Sequence, residues 1–226
     1  PITPRTPFWI GSNTKSFTAL AVMQLAEERR LDVDAPIRRY LPGFAVADPS
    51  ASDRITVRHL LNQTSGFSRE DGIAAAMAET DQTLEEAVAD LQDVELNRPV
   101  GESFEYSNLN FVVLGLVVER VSGMPWTTYV EENVLEPVGM EATFTSLEEA
   151  RSHGLTAMHR YWFGIPVEAE VRYSKGLAPT GYIYSTAEDM ARYLGLYLNE
   201  GRWNGTPILS ADGIARMLSP ETDRTT

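Results

Sequence analysis

The chain has 226 residues, no cysteine and a formal net charge of −13. The absence of cysteine excludes a disulfide framework, a zinc–cysteine site and a thiol nucleophile. The surplus of carboxylates argues against nucleic acid as a partner, because phosphates require basic patches, and it disfavours contact with anionic membrane surfaces. Hydrophobic residues make up 43% of the chain, which is enough for a core. The longest clear apolar run, residues 111–118, is far shorter than the roughly 20 residues that span a bilayer.

The first predicted element is a helix that begins near Ser12 and Lys15. After Lys15 the sequence is apolar on nearly every face, which is typical of a buried helix. Residues three apart share one face of a helical turn, so the lysine amine can reach the serine hydroxyl. A serine becomes a good nucleophile only when a neighbouring base takes its proton. A buried lysine can lose its own proton and act as that base, whereas arginine cannot.

Lysine is rare in this chain: Lys15 and Lys175 are the two lysines, and the other 17 of the 19 basic residues are arginine. One of the two therefore stands where the chemistry forbids arginine, and no other Ser-x-x-Lys occurs. The alternative is that Ser12 caps the helix and Lys15 is solvated. A lysine at the start of a buried helix is costly without a role, which favours the catalytic interpretation.

Between residues 30 and 100, the positions of proline, glycine and helix-capping residues predict short helices and loops. Pro36 suits a first helical position, and residues 57–62 form a short helix that ends at the Thr-Ser-Gly of residues 64–66. Residues 48–54 and 68–72 are predicted loops. Thr83 to Glu86 form a capping box that opens a helix. The polar, helical segment 68–99 is predicted to be a plain surface helix; the family resemblance given below implies instead a flap over the cleft.

A second polar group precedes the next apolar run. Tyr106 and Asn108 lie just before a predicted buried helix that ends at Gly123. Residues two apart in an extended loop point the same way, so a phenol and a carboxamide would enter one cleft. A phenol can shuttle a proton between nucleophile and leaving group, and an amide can bind a carbonyl or hold the lysine. The alternative is an ordinary turn with a helix cap.

The rest of the chain offers strands, helices and aromatic clusters. Strands are predicted at residues 142–146, 160–163 and 181–185, and Pro125 suits a first helical position. A capping box at residues 185–188 opens a helix that stops at Gly201. The aromatic clusters 161–163 and 182–184 are predicted to pack in the core or at a cleft edge, and the alternative is that they line a substrate cleft. His59, His153 and His159 have no metal-ligand spacing, and there is neither a Gly-x-Ser-x-Gly elbow nor a Gly-rich phosphate loop.

Several motifs in sequential order resemble one family. They are Ser-x-x-Lys at 12–15, Leu-Asp-Val-Asp-Ala-Pro at 31–36, the segment 55–66 with its His-Leu-Leu-Asn-Gln-Thr-Ser-Gly, Tyr-Ser-Asn at 106–108, Leu-Glu-Pro-Val-Gly-Met at 135–140 and Gly-Tyr-Ile-Tyr-Ser-Thr-Ala-Glu-Asp-Met at 181–190. The chain resembles the serine β-lactamase and penicillin-binding protein superfamily, in its class C β-lactamase branch, which includes D-aminopeptidases, DD-carboxypeptidases and esterases.

The resemblance implies a role for each motif residue. Ser12 would be the acylated nucleophile, with its backbone N–H as half of the oxyanion hole. Lys15 would accept its proton, Tyr106 would be the general base and later the acid, and Asn108 would orient substrate and lysine. The reaction would be acyl transfer without metal or cofactor, on a β-lactam, a D-amino-acid peptide or an ester. The alternative is a non-catalytic, penicillin-recognising or ligand-binding homologue.

The resemblance also implies a fold and a location. The family fold is α+β, an α/β sandwich of the β-lactamase/DD-peptidase type, and residues 30–180 would be its helix-rich region. The family's third motif, Lys-Thr-Gly or His-x-Gly, has no counterpart in the required order, because His153-Gly154 comes too early and is predicted to be a loop. We therefore expect one domain cut at both ends, with much of the antiparallel sheet outside these 226 residues. Such enzymes act mostly outside the cytoplasm, in the periplasm, the cell envelope or the medium, although cytoplasmic relatives exist, and membrane association is left open.

Overall fold

The computed structural model describes residues 2–78, 81–169 and 173–221. Its α-helices are α1 (Thr14–Glu27), α2 (Pro49–Arg54), α3 (Val57–Leu61), α4 (Arg69–Met77), α5 (Leu84–Ala89), α6 (Asn108–Ser122), α7 (Trp126–Val130), α8 (Glu136–Val138), α9 (Leu147–Ser152), α10 (Ala178–Gly181), α11 (Ala187–Leu198) and α12 (Ala211–Leu218). Short 3₁₀ turns span Gly11–Asn13, Ile37–Arg39, Asp90–Asp93 and Lys175–Leu177, and a π-helical turn spans Glu131–Leu135. The strands are β1 (Phe8–Trp9), β2 (Met158–Trp162), β3 (Ile165–Ala169), β4 (Tyr184–Ser185), β5 (Arg202–Trp203) and β6 (Thr206–Pro207).

Helices α1 and α6 form the centre of the core. They pack against each other and both contact α10. In α6 every residue from Leu109 to Val118 is buried, and in α1 the apolar residues Phe17, Leu20 and Leu25 are fully buried. Both helices were predicted to be buried because they are apolar on nearly every face, and most of their residues are buried. Gly123 ends α6 with φ +79°, the left-handed conformation that a glycine C-cap adopts.

The strands form three antiparallel pairs, β1 with β4, β2 with β3 and β5 with β6. In the first pair Trp9 lies opposite Tyr184, and a single bridge adds Phe144 on the other side of Tyr184. The strand predicted over residues 142–146 is thus reduced to one bridge. The strand predicted over residues 181–185 is present only at Tyr184–Ser185, because α10 includes Gly181. The mixture of dominant helices and small antiparallel sheets is the expected α+β class.

The two aromatic clusters differ in environment. Tyr182 and Tyr184 are buried, as predicted for core residues. The other cluster lies at the tip of the β2–β3 hairpin, where Tyr161 is 80% and Phe163 91% exposed. Packing of residues 161–163 in the core, one of the predicted environments, is therefore wrong. Two strands alone present no second layer against which the tip could be buried.

Two predicted loops are helices, because polar residues that suggested turns act as N-caps. Asp48 accepts a hydrogen bond from the Ser50 N–H and precedes Pro49 at the first position of α2. Ser68 caps α4 in the same way. The capping box at Thr83 is confirmed. The box predicted at residues 185–188 is wrong, because Thr186 is the cap of α11.

Three smaller expectations can be compared directly. The short helix predicted over residues 57–62 is α3, with Asn62 as its C-cap. Pro36 and Pro125 each stand one position before a helical turn rather than at its first residue. Gly201 follows α11 with φ +84° and donates its N–H to Leu196 O at 2.9 Å, which closes the end of the helix.

Within the described residues, no helix combines the length and the apolar character that crossing a membrane would require.

Candidate active site

Ser12 lies in the 3₁₀ turn that leads into α1. Its side chain is exposed, whereas Lys15 in the first turn of α1 is only 7% exposed. The cap position of α1 belongs to Asn13, whose side chain makes no capping bond. The alternative in which Ser12 caps the helix and Lys15 is solvated is therefore wrong. The serine hydroxyl instead faces the lysine and the second predicted motif.

The four predicted site residues lie together. Ser12 Oγ is 2.7 Å from Tyr106 Oη, and Lys15 Nζ is 3.2 Å from Ser12 Oγ. Lys15 Nζ also donates to Asn108 Oδ1 at 2.8 Å and lies 5.0 Å from the centre of the Tyr106 ring. We call Ser12, Lys15, Tyr106 and Asn108 the polar cluster. A hydroxyl contacted by both an amine and a phenol has two possible partners for its proton.

Among the described residues Lys15 has no charged partner. Its three hydrogen-bond acceptors are Ser12 Oγ, Asn108 Oδ1 and the Thr180 carbonyl oxygen, and all three are neutral. Burial removes water from the ammonium and lowers the pKa of Lys15 from 10.5 to about 7. Near neutral pH the amine is therefore about half deprotonated, which is the state that a general base needs.

The geometry also orients the neutral amine. A neutral amine has two N–H groups and one lone pair. The shorter contacts of Lys15 Nζ, 2.6 Å to Thr180 O and 2.8 Å to Asn108 Oδ1, use the two N–H groups. The lone pair is then left for the Ser12 hydroxyl at 3.2 Å. The arrangement can therefore accept the serine proton directly.

The Thr180 carbonyl was not predicted from the sequence. Helix α1 holds its segment in place, because Thr18 Oγ1 donates to Pro179 O at 2.8 Å and Thr14 Oγ1 accepts from Ile183 N at 3.1 Å. A methyl group at Gly115 of α6 would collide with the ring of Pro179, so the glycine permits this close approach. A backbone acceptor carries no side-chain signature, and a sequence pattern therefore cannot reveal it.

Gln63 clamps the segment that carries Tyr106, and it too was missed. Its backbone carbonyl accepts from Glu105 N at 2.8 Å, and its side-chain oxygen accepts from Ser107 N at 2.9 Å. Both neighbours of Tyr106 are thus fixed by one residue. The same side-chain oxygen accepts from Asn110 Nδ2 at 2.6 Å. Gln63 is buried and has φ +61°, a conformation that an ordinary residue adopts only when its surroundings enforce it.

Asn108 is the first residue of α6 rather than a loop residue, because the helix cap is Ser107. The residue was predicted one position outside the helix. Its carboxamide is bound at both ends: Oδ1 accepts from Lys15, and Nδ2 donates to Gly72 O at 3.0 Å. The contact with Gly72 fixes which atom of the amide faces the lysine. It also places α4, within the predicted flap segment 68–99, beside the polar cluster.

The remaining candidates stay outside the site. His59 Nδ1 accepts from the Thr56 N–H within a helix cap, and the ring of His153 stacks on Phe144. In the described part of the chain no three histidine, aspartate or glutamate side chains are grouped so that they could hold a metal ion.

Comparison with known proteins decides the family. The sequence model of the Beta-lactamase family matches residues 1–226. The chain belongs to the beta-lactamase family. Protein flp of Staphylococcus aureus (strain MW2) is 29% identical over 196 residues, which are 87% of this chain and 39% of flp. Penicillin-binding protein 4 of Amycolatopsis lactamdurans is 29% identical over 220 residues, covering 96% of this chain and 57% of that protein.

Solved structures of similar proteins share the fold. The octameric penicillin-binding protein homologue from Pyrococcus abyssi superposes with a TM-score of 0.83 at 31% identity, over 97% of this chain and 50% of that one. The chain therefore has the fold of the beta-lactamase and penicillin-binding proteins. It spans about half the length of the relatives it matches.

Proposed function

We propose that the protein is a serine hydrolase that forms an acyl-enzyme on Ser12. The observation that carries the proposal is the position of the exposed Ser12 hydroxyl between a buried lysine without a charged partner and a tyrosine hydroxyl. Membership in the beta-lactamase family supports it.

The proposed first step is attack of Ser12 Oγ on a carbonyl carbon. As the C–O bond to serine forms, the hydroxyl proton passes to the Lys15–Tyr106 pair. Collapse of the tetrahedral intermediate breaks the bond to the leaving group, and Tyr106 supplies that group with a proton. The serine proton thus ends on the leaving group, and the lysine and tyrosine return to their starting protonation. The backbone N–H of Ser12 is the proposed donor to the developing oxyanion.

The proposed second step reverses the first with water in place of the leaving group. Water attacks the acyl carbon, gives a proton to the same pair, and the Ser12 Oγ–carbon bond breaks as that proton returns to Ser12. Asn108 holds the lysine throughout and offers an amide to the substrate. The substrate is a β-lactam, a peptide of D-amino acids or an ester, and the penicillin-binding relatives support the first.

We also propose that the protein acts outside the cytoplasm, as the family resemblance implies. Fractionation of the cells that make the protein would test this location.

Intact-mass spectrometry tests the proposal. The full-length protein is incubated with benzylpenicillin and, separately, with a serine-directed fluorophosphonate, and the adduct is mapped by digestion. Ser12→Ala removes the proposed nucleophile. Ser16→Ala is the matched control, because Ser16 lies on α1 one turn further along and outside the polar cluster. We expect the phosphonate adduct on Ser12, retained in the Ser16 variant and lost in the Ser12 variant.

The penicillin arm separates the substrate classes. A stable adduct on Ser12 means a penicillin-binding protein or slow peptidase, and consumed penicillin without an adduct means a β-lactamase. Phosphonate labelling without any reaction with penicillin means an esterase-type enzyme. If neither reagent modifies Ser12 and penicillin is not consumed, the hydrolase proposal is wrong and the non-catalytic binding protein takes its place.

A further inference from the structure

A cavity of about 380 Å³ lies beside the polar cluster, between α4, α5, α6 and the turn Lys175–Leu177. Four alanines and two α6 side chains account for much of its wall: Ala74, Ala75, Ala78, Ala87, Leu109 and Val112. We call this cavity the alanine pocket. Its volume exceeds by far the space for one water molecule, and its walls are predominantly apolar.

The alanine pocket adjoins the polar cluster through two neighbouring backbone positions. Leu109 of its wall directly follows Asn108, and Asp71 of its wall directly precedes Gly72. Asn108 and Gly72 are joined by a hydrogen bond of 3.0 Å, and Asn108 contacts Lys15 at 2.8 Å. The wall of the pocket therefore begins one residue along the chain from each partner of the Asn108–Gly72 hydrogen bond.

The charged side chains that line the described part of the pocket are acidic. Among the described residues its charged lining side chains are Asp71 and Asp90, and none of the described lining residues is cationic. Hydrogen bonds among the described residues use Oδ2 of each carboxylate, from Ser68 to Asp71 and from Gln82 to Asp90. The second oxygen of each carboxylate is therefore left to attract a cation.

A buried hydroxyl in the wall lacks a partner. Ser174 lines the pocket and is 3% exposed, and its Oγ has no hydrogen-bond partner among the described residues. A buried polar atom without a partner costs free energy, so a ligand that bonds to it is favoured. An ammonium group can donate to both a hydroxyl and a carboxylate.

We propose that the alanine pocket binds an unbranched aliphatic group ending in a primary ammonium, carried on the acyl part of the substrate that Ser12 attacks. The proposal rests on the proposed function. The apolar walls take the methylene groups, and Ser174 with the two aspartates receives the charged end. The acyl part is chosen because it stays attached through both steps, whereas a leaving group needs an open route to solvent.

Chain length and end group together test the proposal on the full-length protein. The substrates are p-nitrophenyl esters of acetic, butanoic, hexanoic, 6-aminohexanoic and adipic acid, the last with a free carboxylate. We expect kcat/KM to rise about fourfold for each methylene from acetyl to hexanoyl, the factor expected for burying one methylene. We expect kcat/KM for the 6-aminohexanoyl ester to be at least fivefold higher than kcat/KM for the carboxylate-ended ester. Equal kcat/KM for all chain lengths, or a preference for the carboxylate, would overturn the proposal.

Two variants localise the effect. Ala75→Leu fills the pocket and should abolish the gain with chain length while the acetyl ester reacts as before. Ala76→Leu is the matched control, because Ala76 is the next residue of α4 and does not line the pocket. Asp90→Asn should lower the preference for the ammonium-ended ester. The ratio of its kcat/KM to that of the carboxylate-ended ester should fall by about two- to fivefold, the range for an exposed charge pair. Equal losses for acetyl and hexanoyl esters in the Ala75 variant would count against the pocket.

A binding measurement keeps the pocket distinguishable from the catalytic proposal. Hexylammonium chloride is titrated into the unlabelled protein and followed by NMR, beside sodium hexanoate and butylammonium chloride. Preferential binding of hexylammonium that Ala75→Leu removes supports the pocket even if Ser12 resists every acylating reagent, in which case only the proposed function fails. If Ser12 is labelled but neither hexylammonium nor the 6-aminohexanoyl ester is preferred, the proposed role of the alanine pocket is wrong and the proposed function stands.

Discussion

Replacement of Lys15 by methionine, which has a similar length and no charge, tests the buried amine directly. Lowering the lysine pKa from 10.5 to about 7 corresponds to a penalty of about 5 kcal/mol on the charged form in the folded protein. Between these two pKa values the unfolded chain holds one more proton than the folded protein. The free energy of unfolding of the wild type must therefore rise with pH in this window, by about 1.4 kcal/mol per pH unit relative to Lys15→Met.

The magnitude at pH 7 follows from two opposing effects. The methionine variant escapes the cost of about 5 kcal/mol, but it leaves the acceptors on Asn108 and Thr180 without a donor, at about 1–3 kcal/mol each. The variant should therefore be about as stable as the wild type, or more stable, at pH 7. The wild type should gain about 2 kcal/mol relative to the variant between pH 7 and pH 9, less than the full slope over two units because the folded lysine is already partly deprotonated at pH 7.

Urea unfolding at several pH values measures this difference, and the other titrating groups cancel between wild type and variant. The matched control is Lys175→Met, because Lys175 is the second lysine and is exposed. The difference in the free energy of unfolding between Lys175→Met and the wild type should be the same at pH 7 and pH 9. In parallel, the rate of phosphonate labelling of Ser12 should rise through a midpoint near pH 7. A flat stability difference for Lys15→Met would mean that the folded protein keeps the lysine charged, and the argument for a general base would fail.

Four further changes probe the surroundings of the serine. Tyr106→Phe removes the hydroxyl 2.7 Å from Ser12 Oγ and should slow acylation by an amide or β-lactam about 10²- to 10⁴-fold with the fold unchanged; an unchanged single-turnover rate would remove tyrosine from the mechanism. Asn108→Asp places a carboxylate beside the amine, so the pKa of Lys15 should rise and the midpoint of the labelling–pH profile should move up by about 1–3 pH units; an unmoved midpoint contradicts the electrostatic account. Gln63→Ala leaves the N–H of Ser107 unpaired and should cost about 1–3 kcal/mol in urea unfolding, together with slower labelling; normal labelling would show that the tyrosine segment holds its place without the clamp. Gly115→Ala forces a methyl group into the Pro179 ring and should cost about 1–3 kcal/mol; a stability equal to the wild type would mean that the ring moves freely.

The sequence predicted the features that depend on residues close together in the chain. The apolar faces of α1 and α6 predict buried helices because period and composition depend only on neighbouring residues. The polar cluster was also predicted, since its four side chains belong to two short motifs whose chemistry is distinctive. The structure brings these motifs within hydrogen-bonding distance.

The failures share a different cause. Whether Asp48 starts a loop or caps a helix depends on the backbone geometry after it, and its residue type favours both. The strand at residues 142–146 depends on a partner more than thirty residues away, and only Phe144 finds one. Thr180 acts through its carbonyl, which every residue possesses. These features are decided by tertiary contacts, which a local pattern does not contain.

The neutral surroundings of Lys15 are notable in a chain with 32 acidic residues. A carboxylate in contact with the amine would raise its pKa and keep it protonated at neutral pH. Glu105 is the acidic residue next to Tyr106, and its oxygens are occupied elsewhere: Arg98 Nε donates to it at 2.8 Å and Arg69 N at 3.0 Å. These contacts of Glu105 with Arg98 and with the backbone of Arg69 occupy the carboxylate nearest in sequence to Tyr106, and the described partners of the amine that we propose as the base are all neutral.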